Sequence, residues 1–262
     1  MRQNELKRIL ASGERGINGW VAIPDSFAVE QYAAQGFDSV TVDLQHGAAD
    51  VGGLIPLLQA IALGGATAMV RVPWNDPADV MRVLDAGAYG VICPMVNSAE
   101  QARAFVAAGR YPPLGVRSAG PFRASHFAGA DYVGSANDEI LLLAMIETRE
   151  AVANLDEILA VEGLDGVYVG PNDLSLSLGK PGSLAPDDAE VLETMAAIAR
   201  AARQHGLIAG VHTDGPATAE QRYAEGYHFC TLLNDVRLLV DAAKRMVSEL
   251  RGAGPVEASR SY

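Results

Sequence analysis

Residues 54–72, LIPLLQAIALGGATAMVRV, decide the fold. Their first half, 54–63, is an apolar helical pattern interrupted by Gln59. Their second half, 67–72, is a short continuous run of strand-forming residues, and Gly64-Gly65 breaks the chain between the two. No uninterrupted run of 18 apolar residues results, so the segment is not a membrane span. A strand that is continuously apolar is buried on both faces, as in a parallel sheet.

The same unit recurs on either side. Strand-like runs occupy 17–23, 39–42, 67–72, 90–95, 140–146, 166–169, 207–211 and 228–233. Helical patterns occupy 27–35, 54–63, 78–86, 99–108, 151–161, 188–205, 218–225 and 235–250. Alternation on this scale calls for right-handed βα crossovers. Eight strands with eight helices favour a closed α/β barrel, (β/α)8, over an open doubly wound sheet. Gly36, Gly87, Gly163, Gly206 and Gly226 stand where helices should end. No GxGxxG follows the first strand, which argues against a dinucleotide site. Residues 110–138 break the pattern and read as a long loop, a place for function. The expected organisation is one barrel over 1–250 and a flexible tail over 251–262.

Composition narrows the partners. With 49% hydrophobic and 20% charged residues, the chain buries a core and is not disordered. Lys+Arg number 20 against Asp+Glu 32, a net charge of −12, and no basic run occurs. Neither nucleic acid nor an anionic membrane is an expected partner. Cys93 and Cys230 lie far apart in apolar stretches and read as buried thiols of a reducing compartment. The first sixteen residues lack the apolar centre of a secretory signal. A cytoplasmic protein is expected.

A barrel of this kind does its chemistry at the C-terminal ends of its strands. There the sequence delivers Asp43, Gln45 and His46 after the second strand, Arg71 on the third, Glu147 after the fifth, Gly170, Pro171, Asn172 and Asp173 after the sixth, and His212 on the seventh. Glu147 and Asp173 come from adjacent strand ends, and two carboxylates suit a hard divalent cation. A helix cap at Asp173 and a salt bridge from Glu147 to Arg149 or Arg71 explain them equally well at this stage. A glycosidase pair is disfavoured because the rim lacks aromatic platforms. His46, three positions after Asp43, suits proton transfer, although a lone rim histidine is more often bonded to backbone. Arg71 ends an apolar strand and must find an anion. The three lysines, Lys7, Lys180 and Lys244, close no strand, so no Schiff-base nucleophile is placed.

The motifs VDLQHG (42–47), VRVPWNDP (70–77), RYPPLGVRSAGP (110–121), MIETREAVANLDEIL (145–159) and VYVGPNDLS (167–175), in this order, resemble the HpcH/HpaI family of metal-dependent class II pyruvate aldolases. The resemblance covers about residues 5–250. It implies a (β/α)8 TIM barrel of the phosphoenolpyruvate/pyruvate type and a homo-oligomer, a hexamer built as a trimer of dimers with the last helix exchanged. It implies that Glu147 and Asp173 hold Mg²⁺, Mn²⁺ or Co²⁺, and that Arg71 binds the keto or enolate oxygen. It makes His46 the base, oriented by Asp43 and by Asp85. It assigns backbone N–H groups of the 170–172 turn to the carboxylate, and it lets Arg117 and Arg123 read the aldehyde in a neighbouring subunit. Gln45 and Met145 replace, respectively, an acidic residue and a glutamine of the family's type member, so the preferred donor acid and aldehyde differ.

The implied reaction joins the enolate of pyruvate, or of a 2-keto acid such as hydroxypyruvate, to an aldehyde, and cleaves 4-hydroxy-2-keto acids in reverse. Three alternatives keep the barrel: decarboxylation of an oxaloacetate-type acid, cleavage of a CoA ester, and keto-acid binding without catalysis. A sugar-phosphate isomerase is disfavoured because neither VHTDGP nor TLLNDV makes a phosphate cradle.

Overall fold

The computed structural model describes residues 1–252, so the tail expected over 251–262 lies, past Gly252, outside the described residues. Helix α1 (Glu5–Ala11) precedes β1 (Gly16–Val21). Then come α2 (Ser26–Ala33), β2 (Ser39–Asp43), α3 (Leu54–Leu63), β3 (Thr67–Arg71), α4 (Pro77–Asp85), β4 (Gly90–Cys93) and α5 (Ala99–Gly109). Two helices, α6 (Phe122–Ala128) and α7 (Tyr132–Glu139), lead into β5 (Leu141–Ile146). They are followed by α8 (Arg149–Ala153), α9 (Leu155–Leu159), β6 (Gly166–Val169), α10 (Pro171–Ser177), α11 (Ala189–Gln204) and β7 (Ile208–Thr213). The last elements among the described residues are α12 (Pro216–Ala224), β8 (Phe229–Leu232) and α13 (Asp235–Leu250).

All eight strands run parallel in chain order, and β1 pairs with β8 to close the barrel. Side chains alternate across each strand. Val40 and Val42 of β2 join the layer packed under the helices, whereas Trp20, Met69, Leu143, Met145, Tyr168 and Phe229 form a separate cluster. That second cluster is the barrel interior. Leu6 and Leu10 of α1 belong to it and plug its N-terminal end; a Cβ on Gly16 would meet both at about 3 Å. Burying each such leucine fully contributes roughly 1.5–3 kcal/mol.

Helix starts follow local chemistry. Asp76 accepts the Ala78 N–H ahead of α4, with Pro77 at the first helical position. Gly87, at φ +101°, ends that helix in the left-handed region, and a Cβ there would run into the Arg123 guanidinium.

Two expectations change. The stretch 110–138 is not a bare loop, because it contains α6 and α7. Their small and polar residues carry little amphipathic signal. Buried Arg110 ties the stretch down by donating to the carbonyls of Asn137 and Ile140 at 2.9 Å, and it pairs with Asp165. The helix expected over 151–161 is two helices broken at Asn154, whose amide donates to Asn97 O at 2.8 Å. Among the described residues, no helix is long and apolar enough to cross a membrane.

Candidate active site

Parallel pairing places Asp43 directly beside Arg71 at the C-terminal ends of β2 and β3. Arg71 grips Asp43 along one edge, Nε to Oδ1 at 2.9 Å and Nη2 to Oδ2 at 2.5 Å. Both side chains are buried. The Trp20 indole N–H donates to Asp43 Oδ2 at 3.2 Å, and the guanidinium lies 4.9 Å from the Trp20 ring centre. Burial alone would raise the Asp43 carboxyl. The Arg71 guanidinium, the Trp20 N–H and the His46 backbone N–H more than offset it, so the group stays below the usual carboxylate range. A charge held this way fixes the plane of Arg71 and turns Nη1 away from Asp43.

Glu147, one residue past β5, is buried and accepts the Met95 N–H at 2.8 Å. Met95 achieves this with φ +55°, a left-handed conformation that methionine rarely adopts. Burial, reinforced by Asp173, pushes the Glu147 carboxyl up to about 7, against partial relief from Met95 N–H and Arg71. Asp173 sits in the first turn of α10. A Cβ on Gly170 would lie 2.5 Å from Glu147 Oε2, so glycine is required for the two strand ends to approach. The structure thus brings Glu147, Asp173, Arg71 and Asp43 to one rim. A buried carboxylate and a half-buried one that repel each other fit a hard cation. Among the described residues, no cluster of three or more His, Cys, Asp or Glu could hold one. The donor set is therefore two carboxylates, with water and substrate oxygens to complete it.

Several expected residues sit differently. His46 is exposed at the rim, and Asp43 accepts its backbone N–H at 3.2 Å and that of Gln45 at 3.0 Å. Asp43 therefore shapes the turn rather than orienting the imidazole. Asp85 ends α4, which runs from the C-terminal end of β3 back to the N-terminal end of β4, so it lies at the far end of the barrel from His46. There it accepts from Arg117 Nη2 at 2.7 Å. Arg117 is buried in its own chain, bonded to Tyr132 Oη at 3.1 Å and stacked 4.6 Å from the Tyr111 ring. Arg123 stacks 4.6 Å from Phe127, likewise near Gly87 at the far end. Asp85 ends α4, and Arg117 and Arg123 follow α5, so all three lie on the face to which those helices return rather than at this chain's own rim. In the 170–172 turn, Pro171 has no N–H, so the first N–H groups of α10 available to an anion come from Asn172 and Asp173. His212 is buried, with its ring edge-on to Trp20 at 5.0 Å.

Sequence reasoning missed Trp20 and Met95. The available signal for Trp20 was a large aromatic in a strand that also carries Asn18, since polar and aromatic residues alternating in one barrel strand mark an inward face.

This arrangement has relatives. The model of the family described as HpcH/HpaI aldolase/citrate lyase matches residues 18–242. The chain belongs to that family. This HpcH/HpaI chain is 40% identical to a hydroxypyruvate/pyruvate aldolase of Rhizorhabdus wittichii, over 95% of its own length and 99% of the relative's. It is 36% identical to a 4-hydroxy-2-oxo-heptane-1,7-dioate aldolase of Escherichia coli, over 94% of each. Among solved structures, an HpcH/HpaI family protein of Burkholderia cenocepacia superposes with a TM-score of 0.89 at 31% identity, covering 95% of this chain and 100% of that one.

Proposed function

We propose that this HpcH/HpaI protein is a divalent-cation-dependent aldolase. It joins the enolate of pyruvate or hydroxypyruvate to an aldehyde and cleaves 4-hydroxy-2-keto acids in reverse. The carrying observation is the rim geometry: Glu147 and Asp173 converge beside an Arg71 that Asp43 holds rigid. Held by Glu147 and Asp173, a cation such as Mg²⁺, Mn²⁺ or Co²⁺ supplies the Lewis acidity that a chain without a strand-end lysine lacks. The N–H groups of Asn172 and Asp173 hold the substrate carboxylate. Arg71 donates to the keto oxygen and binds it more tightly as negative charge develops there. His46 takes the C3 proton, and after C3 adds to the aldehyde carbon it returns a proton to the new alkoxide. The buried, unpaired thiols of Cys93 and Cys230 agree with a cytoplasmic setting.

The test is turnover of pyruvate and of hydroxypyruvate with an aldehyde, before and after chelation. Chelation should lower the rate at least about 10²-fold, and Mg²⁺, Mn²⁺ or Co²⁺ should restore it. Glu147→Gln should abolish calorimetric cation binding. Burial keeps Glu147 protonated up to about pH 7, so the cation displaces a proton and its affinity falls as pH drops below that value. Full turnover in chelator sinks the reading.

The same protein is proposed to be a homo-oligomer, a hexamer assembled as a trimer of dimers. No residue of α13 is buried, although it carries Leu238, Leu239, Met246, Val247 and Leu250, the last 91% exposed. An amphipathic helix left uncovered this way needs a partner, and a second copy of the chain supplies one. Replacing Leu239 and Met246 together by Asp should shift sedimentation to smaller species. An unchanged profile would show that α13 is not the interface.

A further inference from the structure

Two described residues other than glycine adopt a left-handed backbone, Met95 and Leu233. Met95 does so in support of Glu147. Leu233, at φ +58°, sits where β8 turns into α13, and its N–H donates to Thr213 O at 3.1 Å. Strain of this kind persists where the surrounding structure over-determines it, and it clusters at functional sites. The turn that Leu233 makes delivers Asp235, the first residue of α13.

The Asp235 carboxylate reaches the end of the neighbouring strand β1. Its Oδ1 accepts the Ala22 N–H at 2.9 Å, and its Oδ2 accepts the Ile23 N–H at 3.0 Å. Two successive backbone N–H groups closing on one carboxylate make a charge-assisted, two-point grip. Ala22 passes that grip on, because its carbonyl accepts the Ala48 N–H at 2.9 Å. Gly47 seats the same contact. A Cβ there would lie 3.2 Å from Ala22 Cα and 2.2 Å from Asp43 O, so only glycine lets the two backbones approach this closely. The turn that carries His46 is thus held at both ends. Asp43 takes the N–H groups of Gln45 and His46, and Ala22 takes that of Ala48. The imidazole itself is exposed, so its place at the rim is set by the backbone beneath it.

We propose that Asp235 is a positioning residue for the base: by gripping Ala22 and Ile23 it holds the far end of the turn that aims His46 at C3 of the donor acid. This rests on the aldolase reading above, in which His46 takes the C3 proton. Arg71 and Asp43 fix the near end of the turn from β3 and β2, and Asp235 fixes the far end from the β8 side.

The experiment is a double-mutant cycle of Asp235→Ala and His46→Ala, with pyruvate and glycolaldehyde as substrates. Asp235→Ala alone should lower kcat by about 10–10²-fold, the loss expected when a reacting group is misplaced by about 1 Å. KM for pyruvate should stay near wild type, because the groups that hold this acid lie at the ends of β3, β5 and β6. In the His46→Ala background, assayed with added imidazole, the same substitution should change kcat by less than about twofold, because a free imidazole is not carried by the turn. Equal losses in the two backgrounds, the mark of a general structural defect, overturn the proposal, as does wild-type kcat in Asp235→Ala. Asp235→Asn keeps the size and one acceptor oxygen and should lose less; should Asp235→Ala not fold, Asp235→Asn carries the same cycle. Hydrogen–deuterium exchange gives a readout free of activity. The amides of Ala22, Ile23 and Ala48 should exchange faster in the Asp235 variant than in the wild type, and an unchanged rate at Ala48 overturns the proposal as well. If the wild type turns over neither pyruvate nor hydroxypyruvate, the aldolase reading fails, and the exchange rates still report whether Asp235 holds the turn.

Discussion

Replacing Arg71 by alanine should lower deuterium exchange at C3 of pyruvate by about 10²–10³-fold, the usual effect of removing one donor to a developing oxyanion. Exchange needs no aldehyde, so it reads enolate formation alone. The substitution also strands Asp43, a buried carboxylate left with only the Trp20 ring N–H and the backbone N–H groups of Gln45 and His46. Leaving one partner of a buried ion pair uncompensated typically costs about 3–5 kcal/mol, so urea unfolding should register it. Arg71→Lys separates the two effects. The lysine keeps a positive charge near Asp43 and so retains much of the stability, but it cannot pair along an edge while presenting a further N–H to the substrate. Exchange should therefore fall nearly as far in Arg71→Lys as in Arg71→Ala, with a smaller loss of stability. Wild-type exchange in both variants would remove Arg71 from the reaction.

The barrel was legible because its unit is local. A glycine after several of the helices and a continuous apolar strand can be read without knowing what packs against what, and Gly36, Gly87, Gly163, Gly206 and Gly226 all adopt positive φ. Helix α1 was missed since its seven residues present only Leu6 and Leu10 to the interior, too few for a periodic signal. The rim was legible for the same local reason: a strand end is a position in sequence. The position of Asp85 relative to His46 was not, because it depends on which end of the barrel a helix returns to. A chain of hydrogen bonds inside the barrel was invisible for another reason. Asn18, Ser39, Thr41, Tyr168 and Thr231 come from four strands, and only the closed register puts them in contact.

His46→Ala should lower the aldol rate by about 10²–10⁴-fold, the range for a lost acid–base group. The case rests on position. The turn that carries His46 is pinned by two backbone N–H bonds to Asp43, and Asp43 is pinned in turn by Arg71. The imidazole is thus exposed at the rim on a backbone tied to the residue that meets the substrate oxygen. Because Asp43 contacts the His46 backbone and not its ring, the two residues should fail differently. His46→Ala should leave unfolding in urea near wild type and recover activity with added imidazole. Asp43→Ala should instead resemble Arg71→Ala, with lost stability and no recovery, since it frees the guanidinium and loosens the turn together. A wild-type rate in His46→Ala, or no recovery with imidazole, would assign the proton transfer to another group.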